Sequence, residues 1–350
     1  MSAGVNNTTT APSISVVVIG RNEGQRLARC LESVLRIPGF KESGAELIYA
    51  DSASRDGSPE LAAGYGAQVI VLDAPRTTAA LGRNAGWRAA KGEFILFLDG
   101  DTILHPGFAN AALEPMMQDS SIVAVWGHRR EIYPKASIYN RILDLDWVYA
   151  PGITECCGGD VLMRRHVLEE AGGYDSELIA GEEPELCHRL RARGYRILHI
   201  DHPMTGHDLH VTRWSQYWKH AVRAGHAFAE ISSRFRDSGD RLWDADRKRN
   251  LLRGGFWAAS LAIALVISAL LLSVLPLAAW LALLALLSLR SAWKSRWKSR
   301  DIPTLLLYGV HSHLQQIPIC VGQLRFALDQ RRGNKRALIE YKEPDRVQTK

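Results

Sequence analysis

Between positions 256 and 289 the chain carries no Asp, Glu, Lys or Arg, and a run of that length has few ways to fold. A helix that spans a bilayer uses roughly 20 apolar residues, so the run exceeds one span and falls short of two comfortable ones. Basic clusters bracket it: Arg247, Lys248, Arg249 and Arg253 before, and Arg290, Lys294, Arg296, Lys298 and Arg300 after. The positive-inside rule puts both clusters on the cytoplasmic side, which a single long helix cannot satisfy. A tight helical hairpin turning at residues 273–276 satisfies it, whether it crosses the membrane or only dips into it. The alternative left by composition is a buried helix pair inside a soluble protein.

Residues 302–328 are less apolar and include His311, His313, Gln315, Gln316, Gln323 and Arg325, the pattern expected of interfacial helices, here broken at Pro318. The first twelve residues are polar and Thr-rich, without the charged start and apolar core of a secretory signal. The soluble part is therefore expected on the cytoplasmic face of the inner membrane. The formal charge of +6 is small for a nucleic-acid binder, and none is expected as a partner. Cys30, Cys156, Cys157, Cys187 and Cys320 show neither zinc spacing nor the even count of a disulfide framework.

Upstream, apolar runs alternate with helical patterns. Residues 14–19 are a β-branched run ending at Gly20, followed by Asn22 as a helix cap and by Leu27, Leu31, Val34 and Leu35 at helical spacing. Further strands are expected at residues 46–50, 68–72 and 93–98, with helices after each of the first two. Such alternation builds a doubly wound, mostly parallel α/β sheet, because right-handed crossovers cover both faces. Ligands of these sheets bind beyond the carboxyl ends of the strands, where Asp51 and Asp99 both fall. One cleft is implied.

Asp99-Gly100-Asp101 closes the fourth apolar strand. Two carboxylates one residue apart at a strand end can hold a hard cation, Mg²⁺ or Mn²⁺, that keeps positions open for phosphate oxygens. A surface turn also accounts for two aspartates, so their company decides.

That company is specific. Residues 15–23, Ser-Val-Val-Val-Ile-Gly-Arg-Asn-Glu, resemble the opening strand of family 2 glycosyltransferases, enzymes with the GT-A fold. Residues 51–58 resemble their nucleoside-binding turn, and Gly82-Arg83-Asn84-Ala85-Gly86 with Asp99-Gly100-Asp101 resembles their Arg-Asn-x-Gly and Asp-x-Asp block. Gly158-Gly159-Asp160, Gly172-Gly173-Tyr174-Asp175 and Gly181-Glu182-Glu183-Pro184 follow in the family's order. The resemblance covers residues 13–195 and leaves the apolar region out.

It implies a GT-A mixed, mostly parallel sheet flanked by helices, with the catalytic domain expected over residues 13–235; the C-terminal membrane helices are expected from composition alone. A basic juxtamembrane linker (236–255), the hairpin (256–289), a basic loop with interfacial helices (290–329) and a charged tail (330–350) would follow. It implies that Asp51 hydrogen-bonds the nucleotide base, that Gly20, Asn22 and Glu23 surround the nucleoside, and that Arg83 lies near the diphosphate. Asp99 and Asp101 would hold the metal, Asp99 also the ribose-diphosphate side, with His207 as candidate third ligand or an ordinary packing residue. Glu183 stands where the family usually has Asp and is the expected base, with Glu182 its rival. An inverting displacement needs one such carboxylate to take the acceptor proton on the face opposite the leaving diphosphate. The implied reaction moves a sugar from a UDP- or GDP-linked donor to a lipid-linked or glycan acceptor at the membrane.

Arg213-Trp214 resembles part of the processive synthases' motif, but His210 replaces its Gln, which argues against processive synthesis. Trp214, Tyr217 and Trp218 fit either an aromatic belt or core packing. The competing reading is a membrane-anchored nucleotide-sugar-binding subunit with altered catalysis, favoured only by Glu183. A nucleotidyltransferase is disfavoured because no Gly-rich Arg-Lys loop follows the first strand, and a hydride-transfer enzyme because no Gly-x-Gly-x-x-Gly does.

Overall fold

The computed structural model describes residues 13–333 apart from 41, 43, 74–76, 238 and 240. Its first half is β1 (Ile14–Gly20), α1 (Gln25–Val34), β2 (Glu46–Asp51), α2 (Ser58–Gly64), β3 (Gln68–Val71), α3 (Ala79–Ala89) and β4 (Phe94–Asp99). These strands pair in parallel in the order β3-β2-β1-β4. Val16, Val17 and Val18 on β1 and Ile95 to Leu98 on β4 are fully buried, as strands covered on both faces must be. Gly86 lets α3 lie directly on β1, since a Cβ there would fall 2.2 Å from Val17 Cγ1. This register sets Gly20 beside Asp51 and Ile19 beside Asp99.

The second half is β5 (Thr102–Leu104), α4 (Phe108–Gln118), β6 (Ile122–Glu131), α5 (Ile138–Asp144), β7 (Gly152–Thr154), β8 (Val161–Arg164), α6 (Arg165–Ala171), α7 (Glu182–Ala192), β9 (Arg196–His207) and α8 (Trp214–Arg234). β8 enters antiparallel between β4 and β6, so the nine-stranded sheet is mixed, with order β3-β2-β1-β4-β8-β6-β9-β5 and β7 on β9. β5 pairs antiparallel with β9 and sets Thr102 opposite His207.

Four helices follow: α9 (Asp244–Leu270), α10 (Leu275–Lys294), α11 (Ile302–Leu314) and α12 (Gln316–Arg331). α9 and α10 are long and apolar enough to cross a membrane, and most of their surface is not covered by the rest of the chain. They turn at residues 271–274, with Leu272 95% exposed at the tip, and Trp280 Nε1 donates to Ser260 Oγ across the arms at 3.0 Å.

The structure corrects three details of the sequence reading. Residues 244–255 are not a linker but the first turns of α9, continuous with the apolar run. The break expected at Pro318 lies at Gln315; Pro318 sits in the first turn of α12, where a missing N–H is harmless. α12 packs one face on α8 at backbone distance. A Cβ on Gly225 would fall 2.0 Å from the Ile319 carbonyl, and one on Gly322 2.1 Å from that of Val222. Asn22 does not cap α1, whose N-cap is Gly24 without a side-chain bond. The aromatic trio on α8 divides: Tyr217 joins a buried cluster with Ile142 and Val211, whereas Trp214 is 54% exposed.

Candidate active site

Two loops close one side of the cleft. After β1, the Asn22 N–H donates to Ser54 Oγ (2.8 Å), the Arg55 N–H donates to Asn22 Oδ1 (2.9 Å), and the Gly24 N–H donates to Asp56 Oδ2 (2.9 Å). Asn22 holds φ at +55°, a left-handed value that Asn tolerates. Asp51 is 0% exposed; its carboxylate accepts from Tyr49 Oη (2.9 Å) and from the Ser54 N–H (2.7 Å). In this conformation it fixes the turn and presents no oxygen to the cleft, whose wall here is Ser52, Gly20, Arg21, Asn22 and Glu23.

At the centre lies Arg83, fully enclosed on α3. Its guanidinium donates to Asp99 Oδ1 (2.9 Å) and Glu182 Oε1 (2.9 Å) and stands 3.2 Å from Glu183 Oε1. One cation thus ties the end of β4 to the start of α7. Gly159 makes the room, because a Cβ there would fall 2.2 Å from Arg83 Nη2. Gly181, at φ +86°, starts α7 where a Cβ would meet Ile231 at 2.4 Å. Asp160 steadies the strand end, its carboxylate accepting from the Asp99 N–H (2.9 Å) and from Thr205 Oγ1 (2.7 Å).

Asp99, Asp101 and His207 converge so that one ligating atom from each lies within 4.8 Å of the others. His207 Nε2 is 3.3 Å from Asp101 Oδ1. Burial, reinforced by the charges of Arg129 and Arg26 and by His220, holds His207 well below the usual histidine range. Its imidazole is therefore neutral, the form that ligates metals. Two carboxylates and a neutral imidazole are a donor set that a divalent cation fits.

Glu183 is pushed up to about 7, first by burial and then by the charge of Glu182, with Asp99 adding and Arg83 opposing. A carboxyl at that level is suited to general-base work near neutrality. Glu183, Glu182, Arg83, Asp99, Asp101 and His207 all line one cleft of about 450 Å³.

Several cleft residues carry no local signal in the sequence. Arg129 on β6 reaches to 3.7 Å from Asp99 Oδ2 and stacks on Trp147, 4.5 Å from the ring centre. Trp147 meets the His207 ring edge-on at 4.8 Å. Its neighbour Asp146 is gripped by α11: Tyr308 Oη donates to Asp146 Oδ1 (2.8 Å) and His311 Nε2 lies 3.2 Å from Oδ2. His311 Nδ1 in turn bonds Tyr217 Oη at 2.7 Å. Burial works to raise Asp146, but His311, Tyr308 and Lys298 prevail and hold it below the usual range. The Cys157 and Cys187 sulfurs lie 3.5 Å apart, buried, with the Cys157 thiol pushed well up by the contact with Cys187 and by burial, so they are packing groups.

The mixed sheet, with acidic groups at the end of its fourth strand and a carboxylate pair at a helix start on one shared cleft, has the GT-A architecture. Solved structures agree on the fold: the mannosyltransferase PcManGT from Pyrobaculum calidifontis, in complex with GDP-Man and Mn²⁺, superposes with a TM-score of 0.62 at 21% identity, over 90% of this chain and 88% of that one. Residues 15–172 match the model of glycosyl transferase family 2. That match covers a little under half of the chain, and it is this segment that resembles the family 2 glycosyltransferases. Among curated proteins it is similar to the glycosyltransferase AglE of Haloferax volcanii, 23% identical over 201 residues, or 54% of this chain and 65% of AglE. It is also similar to the succinoglycan biosynthesis protein ExoA of Rhizobium meliloti, 26% identical over 206 residues, 55% of this chain and 62% of ExoA. The chain thus spans less than two thirds of either relative.

Proposed function

We propose that this chain is an inverting glycosyltransferase of the inner membrane. It moves a sugar from a nucleoside diphosphate sugar to a hydroxyl of a lipid-linked or membrane-proximal glycan acceptor, in polysaccharide or glycolipid assembly. The observation that carries the reading is the Arg83 bridge, which holds Asp99 and the Glu182–Glu183 pair in one cleft. Glu183 takes the proton of the acceptor hydroxyl as that oxygen bonds the anomeric carbon, and the bond from that carbon to the diphosphate breaks with its electron pair leaving on the diphosphate. Arg83 offers positive charge where the diphosphate departs. Asp99, Asp101 and His207 would hold a divalent cation, which supplies further charge neutralisation to the leaving group. A histidine nitrogen beside the carboxylates favours Mn²⁺ over Mg²⁺, since Mg²⁺ prefers an all-oxygen shell.

The nucleoside lies against Gly20, Asn22 and Glu23, with Asp51 acting through the turn it fixes. A GDP-linked sugar is the first donor to test, as GDP-Man occupies the Pyrobaculum structural relative, and UDP-linked sugars are the second. Residues 13–235 are the catalytic domain, on the cytoplasmic face, with residues 256–289 the membrane hairpin. The test is transfer from a panel of GDP- and UDP-sugars to membrane lipid extract, with and without Mn²⁺. Donor-specific release of nucleoside diphosphate with a labelled lipid product supports the proposal. Donor binding without any transfer would favour the catalytically altered subunit instead.

A further inference from the structure

A second, smaller cavity of about 150 Å³ lies between α8, α9 and α12, away from the cleft. Arg236, Arg241 and Arg247 line it, and neither Arg236 nor Arg241 forms an ion pair among the described residues. Asp244, the one acid among the described residues that line it, is engaged by Arg247 (3.2 Å) and Lys248 (2.8 Å), while Arg247 Nε donates to Ser232 Oγ at 3.1 Å. Gln323 also lines the cavity and is only 4% exposed, yet neither its amide oxygen nor its nitrogen has a hydrogen-bond partner. A buried amide in that state is costly unless a ligand completes it.

The place of the cavity identifies the ligand. Leu251, its wall on α9, is about 8 Å of helix rise from Phe256, where the charge-free run begins. That distance matches the headgroup layer of a bilayer, about 5–8 Å on each side of the hydrocarbon core. Exposed Leu324 continues the apolar lining on α12. We infer that this cavity holds the phosphate of an anionic phospholipid headgroup, with the arginines neutralising it, the Gln323 amide donating to it and the acyl chains running along α9. The inference rests on the membrane reading of the hairpin and not on sugar transfer.

The test uses the full chain in neutral detergent, titrated with phosphatidylglycerol and followed by native mass spectrometry. One lipid per chain should be retained. R236Q/R241Q should weaken retention about thirtyfold, given about 1 kcal/mol for each basic group near a membrane surface, and Q323L should weaken it as well. R249Q/R253Q removes the same charge outside the cavity and should change it less than about threefold. Equal losses in the two arginine pairs would mean diffuse attraction and overturn the site. Displacement of the lipid by excess inorganic phosphate would mean a free-phosphate site and overturn the lipid assignment. Flotation with pure phosphatidylcholine vesicles separates the two levels: a chain that does not float sinks the hairpin reading and this inference with it. A chain that floats but retains no phosphatidylglycerol sinks the inference alone.

Discussion

The cleft and the hairpin break opposite rules of a globular protein. The cleft encloses Asp99, Asp101, Asp160, Glu182 and Glu183 around two arginines, Arg83 and Arg129. The hairpin does the reverse, exposing Leu270, Leu272, Val274 and Leu275 with no charge in reach. Buried carboxylates are expensive unless paired, and contiguous exposed apolar surface marks an interaction site. In the proposed reading each region meets what water does not provide: cation and diphosphate for the cleft, hydrocarbon for the hairpin. The difference teaches that chemistry and anchoring are separable here, so variants should divide cleanly between them.

The largest effects belong to the cleft. Asp101→Ala removes one of three converging ligands, and transfer should fall on the order of a thousandfold while Tm and vesicle flotation hold. Transfer at the normal rate would remove the metal role. Glu183→Gln should cost on the order of several hundredfold in kcat with donor affinity kept; if turnover persists, the base moves first to Glu182. The pH profile sharpens this. Glu183 must be deprotonated to act, so kcat/KM should rise about tenfold per pH unit on the acid side and level off no higher than about pH 7. A bound cation would oppose the Asp99 charge that raises Glu183 and shift the limb lower. A profile that falls with pH across this range would contradict the assignment.

What the sequence disclosed follows the same division. The β-branched run of β1, the apolar run of β4 and the uncharged stretch before Arg290 are local patterns; the structure forms strands at the first two and two antiparallel helix arms in the third. Asp99 and Asp101 are legible through their company, the Gly82 to Gly86 block and the acidic motif at Glu182 and Glu183, since two acids at a strand end alone fit a surface turn. Arg129 was not, for only the pairing of β6 with β9 and its register shifts bring that arginine to Asp99. Asp160 stood inside the Gly-Gly-Asp motif, but its bond to the Asp99 N–H depends on the antiparallel entry of β8. α12 misled because Gln316 and Gln323 read as surface, whereas Gly225 and Gly322 draw the backbones together and bury that face. Spacing within one helix does not reveal a glycine on another.

The hairpin carries the intermediate effect. Leu265, half exposed in the apolar half of α9, is a site where Arg should cost about 3 kcal/mol of insertion if hydrocarbon surrounds it. Leu265→Arg should then drop vesicle flotation roughly a hundredfold while transfer to a soluble acceptor analogue continues. Were α9 and α10 a pair exposed only to water, the same change would stay within about 0.5 kcal/mol and leave flotation as it was. Flotation that survives the substitution breaks the comparison at its membrane end.

The smallest effect lies where the two regions touch. Asp146 accepts from Tyr308 and faces His311 on α11, and its neighbour Trp147 packs on His207 and Arg129. Asp146→Asn keeps the shape and removes the charge. Because the side chain is 35% exposed, solvent screens the pair, and the loss should be about 1 kcal/mol, or roughly 2 °C in Tm. A carboxyl held below its usual range stabilises the fold above its unfolded pKa of about 3.9, and that contribution fades as pH falls through the folded value. The Tm gap between wild type and variant should therefore be full at neutral pH and shrink below about pH 4. If the grip also positions Trp147, kcat should fall a few-fold at saturating donor with KM for the donor unchanged, and Asp146→Glu should restore part of it. A Tm loss with untouched kcat would leave α11 a purely structural strap and make the separation of anchor from cleft complete.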